Sequence, residues 1–417
     1  MSAGDISVNV FLWGVFIGKL SWDSYAMRSI FSFSEEYMDA PFDISPAAFS
    51  KQRLRQKSFY GSKAAEGLPE FLADSLPDDW GNLLFDKWTR DNHIPLNEMR
   101  SLLKLSFIGK RGMGALEFMP EMEIDGTPGQ SVDLASLYDV AMAVLHNRDL
   151  QYLGSLENAS LQQLITLGTS AGGKHAKGVI AINDKGEVRS GQIDLPEDYR
   201  YCLLKFNEDP RVPVCEIEHI FYEMAQDAGI EMMHSELLPI GGRSHFLTER
   251  FDRLPGGKKL HVQSLRALNP HANDYTHLFW LCDSLNVPDG HKEQLFRRMV
   301  FNFVAGVSDD HNRNFSFLMT PDGKWSLAPA YDVMFTSNIW ENPSAISHSL
   351  GMWQKRSHIT LDDIISFVND YDIPDVKSTV RSICQVVETF PERCSFAGIQ
   401  GEWTERIWAV IKTLLIK

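Results

Sequence analysis

Apolar residues recur three and four positions apart in some stretches and alternate with polar ones in others; the two periods separate helices from strands. Ile217, Ile220, Phe221 and Met224 share one helical face, which predicts a helix over residues 216–228 ended by Gly229. Leu295, Met299, Phe303 and Val307 form a second stripe and predict a helix over 292–305. Pro77-Asp78-Asp79-Trp80 reads as a helix start with Asp78 or Asp79 as the cap, and another helix is predicted over 133–146. Strands are predicted over 8–16, before a turn at Ile17-Gly18-Lys19, and over 179–182, 201–206 and 245–249. A hairpin over 315–319 and 325–327 turns at Pro321-Asp322-Gly323, and residues 360–417 read as helical. The polar stretch 147–160 reads as a linker.

Strands dominate early and helices late. This predicts an α+β chain in two lobes, with segments 1–150, 151–253 and 254–417. A length of 417 residues, too great for one hydrophobic core, agrees with that division. A net charge of −15 argues against broad binding to nucleic acid, so any DNA contact is expected through a partner. The five cysteines are scattered, without a C-x-x-C pair, and read as free thiols of a reducing compartment. No apolar run approaches the roughly 18 residues of a membrane span, and the first residues lack the pattern of a signal peptide. A cytoplasmic protein without a membrane partner is expected.

The chemistry concentrates in Ser308-Asp309-Asp310-His311-Asn312-Arg313-Asn314 and, one hairpin later, Ala330-Tyr331-Asp332. Phosphoryl transfer needs one carboxylate to orient a hydroxyl and take its proton. It also needs an amide oxygen and a second carboxylate to hold magnesium against the phosphates. Asp309 and Asn314 have the D-x-x-x-x-N spacing of base and metal ligand, and the hairpin would return Asp332 beside them. Taken singly, each residue could equally cap a turn. His311 follows the presumed base and could brace the loop; it lacks a second histidine at a metal-binding spacing.

Upstream, Gly168-Thr169-Ser170-Ala171-Gly172-Gly173-Lys174 is a small-residue loop that could cover phosphates. It does not have the G-x-x-x-x-G-K-[ST] spacing of a P-loop. Lys205 lies in an apolar strand, where an ammonium wants a phosphate or carboxylate partner, and Glu218 lies on the next helix. Glu249, Arg250 and Phe251 fall where a kinase hinge would bond adenine.

Asp309-Asp310-His311-Asn312-Arg313-Asn314-Phe315 resembles the D-x-H-x-x-N-F motif of the HipA-type kinases. Leu327-Ala328-Pro329-Ala330-Tyr331-Asp332 resembles their L-[ST]-P-x-Y-D motif, with Ala328 in place of the hydroxyl residue. Glu249-Arg250-Phe251-Asp252-Arg253 is similar to their hinge; Leu76–Trp80 and Arg111–Leu116 are similar to their N-terminal subdomain. The resemblance implies a protein-kinase-like fold with a strand-rich N-lobe, an appended N-terminal subdomain and an all-helical C-lobe.

It also implies a serine/threonine kinase toxin that uses ATP and Mg2+ and modifies a protein such as an aminoacyl-tRNA synthetase. Such toxins are held by a HipB-like helix-turn-helix antitoxin, which supplies the DNA contact. Asp309, His311, Lys205 and Glu218 would then be catalytic. Asn314 and Asp332 would hold the metal. Thr169, Ser170, Ala171, Gly172, Gly173, Lys174, Lys205, Glu249, Arg250, Phe251, His311, Asn312, Asn314, Tyr331 and Asp332 would surround the nucleotide. Ser170, or failing it Thr169, would be autophosphorylated. Two other readings stay open at this point: a nucleotide-binding co-repressor scaffold and a small-molecule kinase.

Overall fold

A computed structural model describes residues 7–53, 58–95, 99–122, 124, 131–146, 155–168, 173–336 and 346–416. The chain mixes helix and sheet and divides into two compact units, each discontinuous in sequence. Unit 1 is Met1–Glu208, Leu238–Gln263 and Met319–Gly323; unit 2 is Asp209–Leu237, Ser264–Leu318 and Lys324–Lys417.

Unit 1 holds two five-stranded sheets. The first runs Ser58–Tyr60, Arg28–Phe33, Val15–Asp23, Ser7–Leu12 and Leu116–Met119, each strand antiparallel to the next. The single strand expected over 8–16 is two strands, because the chain turns at Trp13-Gly14, both at positive φ. The turn expected at Ile17-Gly18-Lys19 lies inside the second strand. There Gly18 answers to packing: a side chain at this position would strike the Ser32 carbonyl and the Phe31 ring. The second sheet runs Val188–Ser190, Lys177–Asn183, Tyr199–Lys205, Arg243–Glu249 and, at its edge, Leu238–Ile240 of the last strand. Lys177 pairs directly with Lys205 in its register.

The helices Asp79–Asp91, Leu134–Leu145 and Ser155–Gly168 share one core with this second sheet. Trp80, Leu84, Phe85, Leu137, Leu164 and Ile165 meet Ile180, Cys202, Leu204 and Leu247. The segment expected as a linker is therefore a helix from Ser155 onward; residues 147–154 lie outside the described part.

Helices dominate unit 2; the strands Ser316–Met319, whose last residue groups with unit 1, and Trp325–Leu327 form a hairpin. The helices Val214–Asp227 and Gly290–Ala305 bury the stripes read from the sequence, Ile217, Ile220, Phe221 and Met224 on one and Leu295, Met299 and Phe303 on the other. All five cysteines are buried free thiols. Among the described residues no helix is long and apolar enough to cross a membrane.

Candidate functional site

The segment that carries Asp309 begins where the helix Gly290–Ala305 is stopped. Gly306 takes a left-handed φ of 73°, its N–H closes on the Asn302 carbonyl, and a side chain there would run into the Phe335 ring. The chain leaves the helix at a defined angle and is then held at nearly every residue. The N–H groups of Ser308 and Asp309 both donate to the Thr336 hydroxyl, each at 2.9 Å. The Asn314 carboxamide donates to the Asp309 carbonyl at 2.8 Å, and the Asn314 N–H to the His311 carbonyl at 2.9 Å.

The two neighbouring aspartates have opposite environments. Asp309 is exposed, with 59% of its side chain open, and the His311 ring lies 3.8 Å from it. Asp310 is 2% exposed. It accepts from the Tyr275 hydroxyl at 2.7 Å, the His348 ring at 3.1 Å, and the N–H groups of Ser349 and Leu350 at 2.8 and 3.3 Å. Burial first, then the charge of Asp310, hold the Tyr275 phenol well above its usual range, so it remains a donor. Asp310 thus anchors the loop, and Asp309 is left exposed. His311 braces the turn, its Nδ1 accepting the Arg313 N–H at 3.2 Å; Asn312 donates to the Ala272 carbonyl at 3.2 Å.

The hairpin then returns the chain. Its exit is fixed by Arg298, a buried guanidinium that donates to the Ala328 carbonyl at 2.6 Å, and by the Ala330 N–H on the Glu231 carbonyl at 2.8 Å. Burial pushes Arg298 down to about 10, so it still carries its charge at neutral pH. The Tyr331 hydroxyl donates to the Arg313 carbonyl at 2.6 Å, tying the exit to the Asp309 loop. Asp332 follows at φ 52°, in the left-handed region that, beside glycine, aspartate and asparagine enter most readily. Asn314, Tyr331 and Asp332 line one cavity together with Asp310, Asn302 and Arg298. A carboxylate and a carboxamide at one cavity are hard oxygen donors, the kind magnesium takes. The described residues hold no group of three His, Cys, Asp or Glu side chains fit for a metal. A magnesium site completed by phosphate and water oxygens does not need one.

Unit 1 carries the remaining candidates. Thr169, Ser170, Ala171 and Gly172 lie outside the described residues. Gly173 and Lys174 begin the stem that leads into the strand Lys177–Asn183. Lys205 ends its strand with its ammonium 5.8 Å from the centre of the Phe246 ring. Lys177, opposite it, is only 3% exposed and lies under Gly173, where an added side chain would meet its ammonium. Lys177 is not among the candidates read from the sequence; the signal was a second lysine opening an apolar strand. Glu218 is buried on the helix Val214–Asp227, which groups with unit 2, whereas the sequence reading placed it with segment 151–253.

The expected hinge has much of its polar capacity committed to the protein. The Arg250 N–H donates to the Tyr201 carbonyl, and its guanidinium grips Asp252 through two bonds of 2.8 and 2.7 Å. Arg253 also donates to Asp252, at 2.7 Å, and reaches the carbonyls of Gly112 and Gly114 at 3.0 Å; the Gly114 N–H returns to Asp252 at 2.6 Å. Burial would raise the Asp252 carboxyl, but the two guanidinium groups outweigh it and hold the group far below the usual range. The Arg250 side chain is therefore a structural partner here. Glu249 pairs with Arg200 at 3.0 Å.

Comparison with known proteins defines the class. The profile of the HipA N-terminal domain matches residues 8–119, and that of the HipA-like C-terminal domain matches residues 169–393. A curated relative, the serine/threonine-protein kinase toxin HipA of Shewanella oneidensis, is 21% identical over 366 residues, 80% of this chain and 76% of that protein. Among solved structures, the Shewanella oneidensis MR-1 toxin–antitoxin complex of HipA, HipB and operator DNA matches with a TM-score of 0.67 at 16% identity. That match covers 98% of this chain and 96% of the other. The Helicobacter pylori proinflammatory kinase CtkA matches 58% of this chain and 88% of its own with a TM-score of 0.40 at 12% identity. The order of domains is that of a HipA-type toxin. The chain belongs to the HipA family.

Proposed function

We propose that the chain is a serine/threonine-protein kinase dependent on ATP and Mg2+, the toxin of a HipBA-like module. The observation that carries this reading is the convergence of Asn314 and Asp332 on one cavity, with Asn314 also holding the carbonyl of Asp309. ATP would supply the phosphoryl group, and magnesium would neutralise charge on the phosphates. Asn314 and Asp332 have the oxygen donors to hold that ion. Asp309, exposed and fixed through its backbone, orients the acceptor hydroxyl and takes its proton. Lys205, Lys174 and the loop from Thr169 to Gly173 serve the phosphates, and Glu218 is a further catalytic residue. Glu249, Phe251, His311, Asn312 and Tyr331 frame the nucleotide.

In this reading unit 1 contains the N-lobe with its appended subdomain, and the helices of unit 2 form the catalytic lobe. The acceptor is a protein such as an aminoacyl-tRNA synthetase, and Ser170 is the autophosphorylated residue, with Thr169 as the substitute. A HipB-like antitoxin binds the toxin and brings it to operator DNA, in the cytoplasm. Family membership and the similarity to a HipA toxin support these assignments.

Labelled ATP with magnesium tests the reading. Wild type is expected to incorporate label at Ser170, and Asp309→Ala to incorporate none. A wild type without label, or equal labelling of Asp309→Ala, overturns it.

A further inference from the structure

The Leu76–Trp80 motif has no part in the chemistry above, yet its polar groups are aimed at the stem of the small-residue loop. Asp78 stands at the N-cap of the helix Asp79–Asp91 in extended conformation, where an aspartate normally accepts from the first helical turn. It makes no such bond. Its Oδ2 instead accepts the N–H of Gly173 at 2.8 Å, across 95 positions of sequence. A local rule broken in favour of a distant contact marks a functional constraint. Trp80, two residues on, donates its indole N–H to the Lys177 carbonyl at 2.8 Å, and its own N–H approaches the Gly173 carbonyl at 3.5 Å. A second carboxylate acts on the same stem: Glu208 accepts the Ala176 N–H at 2.6 Å and lies 3.3 Å from the His175 ring. Gly173 itself bends at φ 104°, open to glycine alone, and passes over the buried Lys177.

We propose that Asp78 is a positioning residue for nucleotide binding: Asp78 and Glu208 clamp residues 173–177 and so fix the end of the phosphate-covering loop. The inference rests on the kinase reading given above, and it gives the HipA N-terminal domain a direct part in binding nucleotide. Neither carboxylate serves as a phosphate ligand, since a negative charge repels the polyphosphate. Each acts as an acceptor for backbone N–H groups of the stem. Residues 173–177, held in this way, do not have to be ordered when nucleotide arrives, and that ordering would otherwise weaken binding.

The test uses the full chain with a fluorescent ATP analogue and magnesium, and, separately, limited trypsin cleavage after the exposed Lys174. Asp78→Ala is expected to weaken analogue binding about tenfold, the loss of one hydrogen bond, and to speed cleavage after Lys174. Asp78→Asn keeps an acceptor oxygen and is expected to stay within about threefold of wild type in both readouts. Binding and cleavage unchanged in Asp78→Ala overturn the clamp. So does an Asp78→Asn as weak as Asp78→Ala with the same fall in thermal midpoint, which marks Asp78 as a folding residue only. A wild type that binds no analogue overturns the kinase reading and the clamp with it. Failure in the wild type itself distinguishes that result from a failure confined to the clamp.

Discussion

At the scale of single residues, one hydroxyl holds the backbone where the Asp309 loop begins. Thr336 Oγ1 accepts from both Ser308 and Asp309, and it lies four residues beyond Asp332. Thr336→Val removes the acceptor with little change in volume. It is expected to slow autophosphorylation roughly 10- to 100-fold at saturating ATP, the rate equivalent of about 1–3 kcal/mol. The ATP concentration at half-maximal rate should stay unchanged, and Thr336→Ser should restore most of the rate. A larger change in ATP dependence than in maximal rate would assign Thr336 elsewhere. Asp309, Asn314 and Asp332 were readable as candidates because their spacing is short and ordered. Thr336 and the anchoring role of Asp310 were not. Their partners, such as His348 and Tyr275, lie 27 to 40 positions away, and no local pattern signals them.

At the scale of elements, the turn 112–114 and the stretch 250–253 are welded by the buried ion pairs of Asp252 with Arg250 and Arg253. Asp252→Asn leaves two guanidinium groups without their counter-charge and is expected to destabilise the fold by about 3–5 kcal/mol, measured by denaturant unfolding. The pH dependence has a definite sign. A carboxyl held below its unfolded value contributes its full stabilisation above about pH 4. The contribution is lost as pH falls through the depressed folded value. Wild type should therefore lose more stability than Asp252→Asn on acidification below pH ~4; equal losses would show that the pairs contribute little. The sequence announced Glu249–Arg253 as one unit, but only the fold shows that its charges face Gly112 and Gly114. The same limit explains the misplaced turn at residues 17–19. A glycine signals a bend in sequence whether it serves a bend or, like Gly18, the close approach of a neighbouring strand.

At the scale of the whole molecule, neither unit is a continuous stretch of chain. The strand Tyr199–Lys205 needs Arg243–Glu249 beside it, and Leu247, 1% exposed, belongs to the same core as Trp80 and Leu204. A fragment of residues 1–208 lacks that strand and exposes an apolar edge. It is expected to give no cooperative unfolding transition and a poorly dispersed amide spectrum; a sharp transition would show that unit 1 folds without its late strands. The broad α and β mixture was legible because strand and helix periods are local. The interleaving was not, since the expected divisions follow chain order, whereas the helix Val214–Asp227 groups with residues far downstream.

The left-handed backbone at Asp332 has a consequence for how this lineage can drift. Only glycine, asparagine and aspartate settle readily into that conformation, and of the three only aspartate carries a negative oxygen pair. A single-base change to asparagine or glycine would keep the turn and remove one of the two carboxylates that line the cavity, leaving only the buried Asp310. A descendant that keeps this turn but lacks the Asp332 carboxylate is thus one mutation away.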